Sequence, residues 1–267
     1  MGADSQPIRV AVAGYGRLGS ELARGLAQSP EVDVVGIARR AVGDGQVTLG
    51  EKPVPVSADL PALLEQTRPR VLVDATLPEA ALPNARAALA RGCSPVIATS
   101  GLTESAVDEL RALSAERGLG AVVAPNLSLG AVVLMHLASI AGRFFDSVDI
   151  VEMHRDKKAD APSGTALHTA RLLAQARGHR FERAPTQKLT LEDVRGGEWE
   201  GIGIHSIRLP GLVAHQEVIF GGLGQTLTLR HDTSSNESYL PGALLAIQHA
   251  VHSRGLTVGL AALLGLE

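Results

Sequence analysis

The sequence is poor in cysteine and in aromatic residues. Among its 267 residues Cys93 is the single cysteine, and aromatic residues make up 3% of the chain. One cysteine excludes an intrachain disulfide framework and any metal site built from several cysteines. Because aromatics are scarce, we expect a core of Ala, Val, Leu and Ile. Glycine is plentiful by contrast, at 29 residues, and this composition is typical of an α/β protein whose turns approach a ligand closely.

The chain also lacks a strong excess of one charge and any long apolar run. Lys and Arg total 25 against 28 for Asp and Glu, which gives a formal net charge of −3. This near-balance argues against nucleic acid or an anionic membrane surface as the main partner. No run approaches the roughly 20 apolar residues of a membrane span, and the polar start, Met1 to Gln6, does not resemble a signal peptide. We therefore expect a cytoplasmic protein.

Strand and helix patterns alternate through the first half of the chain. Apolar runs predict short strands at 8–13, 32–38, 71–74, 95–99 and 121–124. The segments between them predict helices, apart from a loop rich in Gly and Pro at 43–55. Strands that alternate with helices in this way form right-handed βαβ units and a parallel, Rossmann-type sheet.

The second half of the chain has a different pattern. After a strand predicted at 148–153 and a polar loop at 178–200, strands at 202–208, 216–220 and 225–231 follow one another without helices between them. Consecutive strands indicate a mixed sheet. We therefore predict an α/β protein of two domains. Residues 1–126 form a dinucleotide-binding domain that residues 235–267 complete, and residues 127–234 form an inserted α+β domain with a mixed sheet.

A glycine pattern, G-x-G-x-x-G, directly follows the first predicted strand and opens the next helix. Its residues are Gly14, Tyr15, Gly16, Arg17, Leu18 and Gly19. Two glycines let the backbone approach a pyrophosphate, and the third lets the helix pack closely on the strand. The helix N-terminus adds free N–H donors and the positive end of its dipole. A tight turn without a ligand is the alternative, but the position between strand and helix favours a dinucleotide.

The second predicted strand ends in two arginines, Arg39 and Arg40, about 20 residues beyond the glycines. An acidic residue at this point favours NADH through the ribose 2′-hydroxyl, whereas arginine accommodates the 2′-phosphate of NADPH. The two arginines therefore predict that NADPH is preferred over NADH. A solvated basic loop is the alternative.

A stretch rich in ionisable and hydroxyl side chains runs from Glu152 to Ala166. Its first half carries the cations Arg155, Lys157 and Lys158, and its second half, Pro-Ser-Gly-Thr, starts a helix whose first amides have no helical partner. Cations that face a helix N-terminus form a pocket for an anion such as a dicarboxylate. Histidine is the residue type best suited to proton transfer near neutral pH, which makes His154 the candidate acid or base. The alternative is a basic surface loop before an ordinary capped helix.

This stretch resembles a known family signature. Its sequence, E-M-H-R-D-K-K-A-D-A-P-S-G-T-A, is similar to the pattern E-x-H-H-x-x-K-x-D-A-P-S-G-T-A of the 4-hydroxy-tetrahydrodipicolinate reductase (dihydrodipicolinate reductase) family. The resemblance covers nearly the whole chain. It includes the glycine turn and segments at 73–78, 98–101, 124–128, 205–211, 215–220 and 229–232.

The resemblance implies an NAD(P)H-dependent reductase of the diaminopimelate and lysine pathway, which reduces 4-hydroxy-tetrahydrodipicolinate to tetrahydrodipicolinate. His154 and Lys158 would handle the proton. Substrate binding would fall to Arg155, Ser163, Gly164 and Thr165. The nicotinamide would lie against two loops, formed by Ala98, Thr99 and Ser100 and by Ala124, Pro125, Asn126 and Leu127. The inserted domain would bind the dicarboxylate substrate and hold a homotetramer together. We expect no metal, nucleic acid or membrane as a partner.

The chain departs from the family pattern at four places. Arg155 replaces the second histidine of the signature, and Ala98-Thr99-Ser100-Gly101 replaces G-T-T-G. Ala75 stands where the family has phenylalanine in D-F-T, and the glycine turn is one residue shorter. Arginine still binds a carboxylate but is a permanent cation. Two alternatives therefore stay open: a paralogue that reduces another cyclic imine dicarboxylate, and a relative that binds nucleotide or dicarboxylate without catalysis.

Other reactive or unusual side chains have simpler interpretations. Cys93 lies at a helix end without the histidine of an acyl-enzyme motif, so we interpret it as structural. His205, His215 and His231 match no metal-ligand spacing and are predicted to be core or interface residues. Trp199 is predicted to have a packing or interface role.

Overall fold

The computed structural model describes residues 6–40 and 45–266, so the first five residues of the polar start and the first two of the predicted loop at 43–55 lie outside it. The strands are β1 (Ile8–Ala13), β2 (Val32–Ala38), β3 (Gly45–Leu49), β4 (Lys52–Ser57), β5 (Val71–Asp74), β6 (Ser94–Ile97), β7 (Gly120–Val123), β8 (Ser147–His154), β9 (Gly197–Trp199), β10 (Ile202–Arg208), β11 (Ala214–Gly222), β12 (Gln225–Thr233) and β13 (Gly255–Val258). The α-helices are α1 (Arg17–Gln28), α2 (Leu60–Thr67), α3 (Pro78–Leu89), α4 (Glu104–Arg117), α5 (Leu129–Ala141), α6 (Gly164–Arg177), α7 (Leu240–His252) and α8 (Leu260–Leu263), and a 3₁₀ turn spans Asn236–Tyr239.

The chain forms two compact units. The first takes in Met1–Leu129 and Asn236–Glu267, and the second is the continuous segment Gly130–Ser235. Within the described residues, no helix has the length and apolar character that crossing a membrane requires.

The sheet of the first unit has the strand order β13-β7-β6-β5-β1-β2-β4-β3. Each neighbouring pair is parallel except β3 with β4, which is antiparallel. The chain moves from β1 to β2 in one direction and returns past β1 to β5, so the strand order reverses next to β1. In open parallel sheets ligands bind at the carboxyl ends of the strands at such a reversal. The predicted Rossmann-type parallel sheet is confirmed.

Apolar strands and capped helices explain this unit. Val10, Val12 and Val73 are fully buried in the sheet, which matches the continuous apolar runs of strands covered on both faces. The Asp59 carboxylate accepts a hydrogen bond from the Ala62 amide and caps α2. Thr103 caps α4 in the same way. These caps satisfy amides that have no helical partner, and the helices begin where the sequence predicts.

The second unit is built on a mixed sheet with the order β12-β11-β8-β10-β9. The central pair β8 and β10 is parallel, and the other pairs are antiparallel. Strands β11 and β12 form a hairpin in which Gly222 pairs with Gln225. The buried face includes Val148, Ile150 and Phe220. The predicted mixed sheet is confirmed.

Four strands differ from the sequence-based expectation. The predicted loop at 43–55 contains β3 and most of β4, the predicted loop at 178–200 contains β9, and β13 follows α7. Pro53 and Pro55 conceal β4, because a residue without a backbone N–H is rare inside strands. Yet Val54 and Val56 alternate with them and are buried. The other three strands, β3, β9 and β13, have five residues or fewer and lie at sheet edges, where the sequence pattern of a buried strand is weak.

Candidate active site

The nucleotide-binding candidates of the first unit lie at the carboxyl ends of the parallel strands of its sheet. The register aligns the last residues of the parallel strands: Ala38, Ala13, Asp74, Ile97 and Val123. The glycine turn, the Arg39–Arg40 pair and the loops at 98–100 and 124–127 each begin directly after one of these residues. The fold therefore collects at one edge four segments that are far apart in sequence.

The glycine turn combines two packing constraints with one open position. Gly14 has φ +88, and a Cβ there would lie 2.6 Å from the Ala75 carbonyl oxygen. A Cβ on Gly19 would lie 1.9 Å from the Gly14 carbonyl oxygen. A Cβ on Gly16 would meet nothing within 4 Å. The turn and its helix thus require Gly14 and Gly19, whereas the absence of a side chain at Gly16 leaves room for a ligand.

The N-terminus of α1 matches the needs of a phosphate group. Gly16 is its N-cap, and within the described residues no side chain caps the helix or places an acid in its first turn. The first amides are therefore available to an anion, and the helix dipole favours one there. Arg39 lies beside the turn, with its guanidinium carbon 6.0 Å from the centre of the Tyr15 ring. Arg17, Arg39 and Arg40 are exposed, and Leu18 is half-buried. These residues fit a dinucleotide.

Asp74 organises the loops predicted to line the nicotinamide. Its buried carboxylate accepts hydrogen bonds from the Thr76 amide and hydroxyl (3.0 and 2.7 Å), the Thr99 hydroxyl (3.0 Å) and the Asn84 amide group (2.7 Å). Thr99 is thereby fixed in the buried part of its loop, and Ser100 is exposed.

Most side chains of these two loops point into the protein. Ala98, Ala124 and Leu127 belong to the apolar core, so a ligand would meet mainly their backbone. Pro125 is exposed, and the half-buried Asn126 accepts a hydrogen bond from the Ser128 amide through its side-chain oxygen. The loops therefore offer backbone groups in fixed positions.

In the second unit the candidate catalytic histidine is bound to a buried carboxylate. Val148, Ile150, Glu152 and His154 share one face of β8, because side chains alternate along a strand. Glu152 is 0% exposed, and its Oε2 lies 2.5 Å from Nδ1 of His154. His154 itself is partly exposed. A buried carboxylate thus holds Nδ1 of His154, while part of the side chain is accessible to solvent.

Arg208 and the start of α6 meet the same carboxylate. Arg208 donates to Glu152 Oε2 from Nη1 over 2.9 Å and to Oε1 from Nη2 over 2.7 Å. The Ser163 amide donates to Oε1 over 3.2 Å. Burial by itself raises the pKa of Glu152, but hydrogen bonds from His154, Arg208 and Ser206 outweigh it and lower this pKa to about 2. Glu152 is therefore ionised at neutral pH.

The predicted carboxylate-binding residues lie at the start of α6. Ser163 is buried, and its hydroxyl oxygen caps the helix by accepting from the Ala166 amide over 3.2 Å. Gly164 and Thr165 follow as the first helical residues, and neither is buried. Their amides have no partner within the helix, so an anion can bind them.

The cations of the preceding loop differ in their partners. Lys158 donates from Nζ to Asp160 Oδ1 over 2.7 Å, and this contact lowers the pKa of the Asp160 carboxyl. Arg155 is half-buried, and within the part of the chain that the structure describes its guanidinium forms no ion pair or hydrogen bond. Arg155 is therefore available to an anionic ligand.

Sequence reasoning missed Glu152 and Arg208 as members of this site. Arg208 is 56 residues from Glu152, and only the pairing of β10 with β8 brings them together. One signal was present: alternation along β8 places the acid Glu152 on the same face as Val148 and Ile150, where an apolar residue is expected. Such an acid must be paired, because an unpaired buried charge is strongly unfavourable.

The remaining singled-out residues lie outside both sites. Cys93 is 1% exposed, and burial raises the pKa of its thiol to about 12. His205 contacts Asp149 over 3.1 Å, His215 contacts Asp232 over 2.7 Å, and His231 packs against Gly130. Trp199 is part of β9 and partly exposed. In residues 6–40 and 45–266, no group of three or more His, Cys, Asp or Glu side chains could hold a metal ion.

Comparison with known proteins assigns both units to one family. The family profiles described as "Dihydrodipicolinate reductase, N-terminus" and "Dihydrodipicolinate reductase, C-terminus" match residues 8–127 and 130–264. A 4-hydroxy-tetrahydrodipicolinate reductase of Moorella thermoacetica is 48% identical over 96% of this chain and 98% of its own. Another, of Dehalococcoides mccartyi, is 45% identical over 97% of this chain and 99% of its own.

Solved structures give the same result. A dipicolinate-bound dihydrodipicolinate reductase from Paenisporosarcina sp. TG-14 is 37% identical, with a TM-score of 0.85, over 96% of this chain and 99% of its own. GenD2 of gentamicin A biosynthesis, in complex with NAD, shares the fold at 17% identity, with a TM-score of 0.62, over 100% of this chain and 93% of its own. The profile matches, the full-length identities and the shared architecture together show that this chain belongs to the dihydrodipicolinate reductase family.

Proposed function

We propose that this protein reduces 4-hydroxy-tetrahydrodipicolinate to tetrahydrodipicolinate in the diaminopimelate and lysine pathway. A nicotinamide dinucleotide supplies a hydride, a proton is added, and the 4-hydroxyl group leaves as water. The observation that carries the proposal is the joint attachment of His154 and the start of α6 to Glu152. A proton-transfer group and an anion-binding helix terminus are thereby held by the same side chain. Close relatives carry the name of this reductase.

The first unit is proposed to hold the dinucleotide. When bound, the nicotinamide supplies the hydride. The amides at the start of α1 bind the pyrophosphate beside Gly16, and Arg39 with Arg40 binds the 2′-phosphate, so NADPH is preferred over NADH. The loops at 98–100 and 124–127 offer backbone groups to the nicotinamide end.

The second unit is proposed to bind the dicarboxylate substrate. The amides of Gly164 and Thr165 bind one carboxylate at the start of α6, while Ser163 holds that helix start in place. Arg155, whose guanidinium has no hydrogen-bond or ion-pair partner among the described residues, supplies a cation for a carboxylate. The solved relative from Paenisporosarcina binds dipicolinate, which is also a cyclic dicarboxylate.

His154 and Lys158 are proposed to handle the proton. Glu152 occupies Nδ1 of His154, so Nε2 is the nitrogen that exchanges a proton with the substrate. Lys158 lies on the loop that follows His154, and Asp160 holds its ammonium group. Lys158 adds positive charge to the site or supplies a second proton. The homotetramer and the domain roles stay predictions of the resemblance, and the cytoplasmic location stays a prediction from the sequence composition.

A paralogue with a shifted substrate is the second candidate, and Arg155 is the observation that favours it. Arg155 is always charged, whereas the histidine of the family pattern at this position exchanges between a neutral and a charged form near neutral pH. A related cyclic imine with a more exposed carboxylate would bind more tightly to arginine than to histidine at this position.

A coupled assay tests the proposal. Freshly prepared 4-hydroxy-tetrahydrodipicolinate is added to enzyme and NADPH, and the loss of NADPH absorbance is followed. Turnover supports the proposal, and absence of turnover with normal cofactor binding contradicts it. His154→Ala and Lys158→Ala should each lower kcat by at least about 100-fold, with the Kd for NADPH nearly unchanged. Retained turnover in both variants would refute their roles.

A further inference from the structure

Glu152 is an acid at a position that the fold makes apolar. It follows Val148 and Ile150 on the inward face of β8, and its side chain is fully buried. A buried carboxylate is retained only where partners offset its loss of hydration. The partners of Glu152 therefore indicate what the buried carboxylate does in this site.

The two carboxylate oxygens divide their hydrogen bonds between different elements. Oε2 is shared by His154 Nδ1 and Arg208 Nη1, and Oε1 is shared by Arg208 Nη2 and the Ser163 amide. On the opposite side, β11 places the neutral Gln216 against Glu152. Arg208 is thus the cation that balances Glu152, and His154 keeps one bond to a charge that is already paired.

This arrangement selects one form of the imidazole. An ionised carboxylate only accepts hydrogen bonds, so Nδ1 of His154 must carry a hydrogen. The neutral ring then has its lone pair on Nε2, the nitrogen that faces away from Glu152. A ring held in this tautomer accepts a proton at Nε2 and donates it from the same atom.

Arg208 extends the connection to the loop that carries Lys158. Its Nη2 also donates to the backbone oxygen of Asp160 over 2.7 Å, and the Asp160 carboxylate holds the Lys158 ammonium. His154, Lys158 and the start of α6 are therefore all one or two contacts away from the Glu152–Arg208 pair.

We infer that Glu152 and Arg208 are positioning residues of the reductase: Glu152 fixes the His154 tautomer, and Arg208 aligns the Lys158 loop with the carboxylate-binding start of α6. This inference rests on the proposed function. In this role both residues act through their neighbours: Glu152 through His154, and Arg208 through Glu152 and Asp160. If this buried ion pair served stability alone, its removal would have a different effect. The His154 tautomer and the pH–rate profile would stay unchanged in the molecules that remain folded.

Glu152→Gln tests the role of the carboxylate. The amide has nearly the same shape, and its oxygen still accepts from Arg208, but its NH₂ group cannot accept from Nδ1–H. We expect kcat to fall by about 100-fold and the KM for substrate to change much less. The limb of the pH–rate profile that reports the histidine should shift. The matched control is Glu217→Gln on β11, which makes the same chemical change at a partly exposed ion pair with Arg230 of β12.

Nitrogen-15 NMR of the imidazole provides a readout that does not depend on turnover. The wild-type protein should show His154 as the Nδ1–H tautomer, with the signal assigned by its loss in His154→Asn. In Glu152→Gln the signal should shift toward the Nε2–H tautomer. If the wild-type enzyme shows no turnover, the proposed function fails, while this measurement still tests the pair.

Arg208→Lys tests the second role and covers the case in which Glu152→Gln does not fold. Lysine keeps the charge but cannot bind both carboxylate oxygens and Asp160 together. We expect kcat/KM to fall by about 10-fold, mainly through a higher KM, with the histidine limb of the pH profile in place. A wild-type tautomer, kcat and pH profile in Glu152→Gln would overturn the inference for Glu152. An unchanged KM in Arg208→Lys would overturn it for Arg208.

Discussion

Gly19 on α1 faces the carbonyl oxygen of Gly14 so closely that a Cβ on Gly19 would lie 1.9 Å from it. The first turn of the helix is therefore packed directly on the end of β1. Gly16, between them, faces open space and has an ordinary φ of −76. The three glycines of one motif thus have separate roles, two in the fold and one toward the ligand.

Substitution by alanine should separate these roles. Gly19→Ala should lower the free energy of unfolding by about 3 kcal/mol or more, because backbone must move to admit the methyl group. Gly16→Ala should fold with nearly the wild-type Tm but raise the Kd for NADPH by about 10-fold, because the methyl group occupies phosphate space. Thermal unfolding and fluorescence titration measure the two effects. Equal stability of the two variants would contradict the packing argument.

The Arg39–Arg40 pair should determine the choice between the two cofactors. Replacing both by serine is expected to lower the ratio of kcat/KM for NADPH to that for NADH by about 10-fold, since the 2′-phosphate loses its cations. Arg70→Ser is the control, because Arg70 is exposed and precedes β5, at the opposite edge of the sheet. A wild-type enzyme that clearly favours NADH would disprove the predicted preference.

The hydrogen bonds of Asp74 should matter for stability and for the cofactor loop. Asp74→Ala leaves the hydroxyls of Thr76 and Thr99 and the amide of Asn84 without their acceptor. We expect a loss of about 3 kcal/mol in the free energy of unfolding, together with a higher KM for NADPH. Asp108→Ala, on the exposed face of α4, should change stability by less than about 0.5 kcal/mol. Chemical denaturation of both variants makes the comparison, and equal stability would contradict it.

Cys93 should be inert in the folded protein. Burial raises the pKa of its thiol to about 12, and the thiolate is the reactive form. A thiol-reactive dye should therefore label the native protein very slowly at pH 8 and label it fully in denaturant. Rapid labelling of the native protein, at a rate independent of denaturant, would show that the residue is accessible.

The stability of the second unit should depend on pH through Glu152. Its pKa is lowered from an ordinary 4.5 to about 2 in the folded protein. A lowered pKa contributes stability that is complete above the unfolded value and is lost as pH falls toward the folded value. The gap in unfolding free energy between wild type and Glu152→Gln should therefore shrink by about 3 kcal/mol between pH 6 and pH 2. A gap that does not change with pH would show that the charge contributes nothing.

Local patterns were sufficient for most of the fold and for part of the site. Apolar runs located β1 and β5 to the residue, and capping signals at Asp59 and Thr103 located α2 and α4. The prolines of β4 concealed a strand, because sequence does not show which N–H groups a sheet edge leaves unused. The role of Arg208 was not predictable, since it depends on the register between two strands 56 residues apart. Long-range pairing is decided by the whole sheet, not by a local segment.

The first unit is discontinuous in sequence, and this has a consequence for biosynthesis. Strand β13 pairs with β7, and the buried side chains Ala243, Ala246 and Ile247 of α7 belong to the same core as β1. A ribosome therefore finishes the synthesis of the continuous second unit before it has made the residues that complete the first. Domains generally fold as units during synthesis, so we expect the inserted second unit to fold first, although the first unit begins at the N-terminus. Protease protection of stalled nascent chains, in which a flexible linker placed after Ser235 lets the second unit leave the ribosome, would reveal this order.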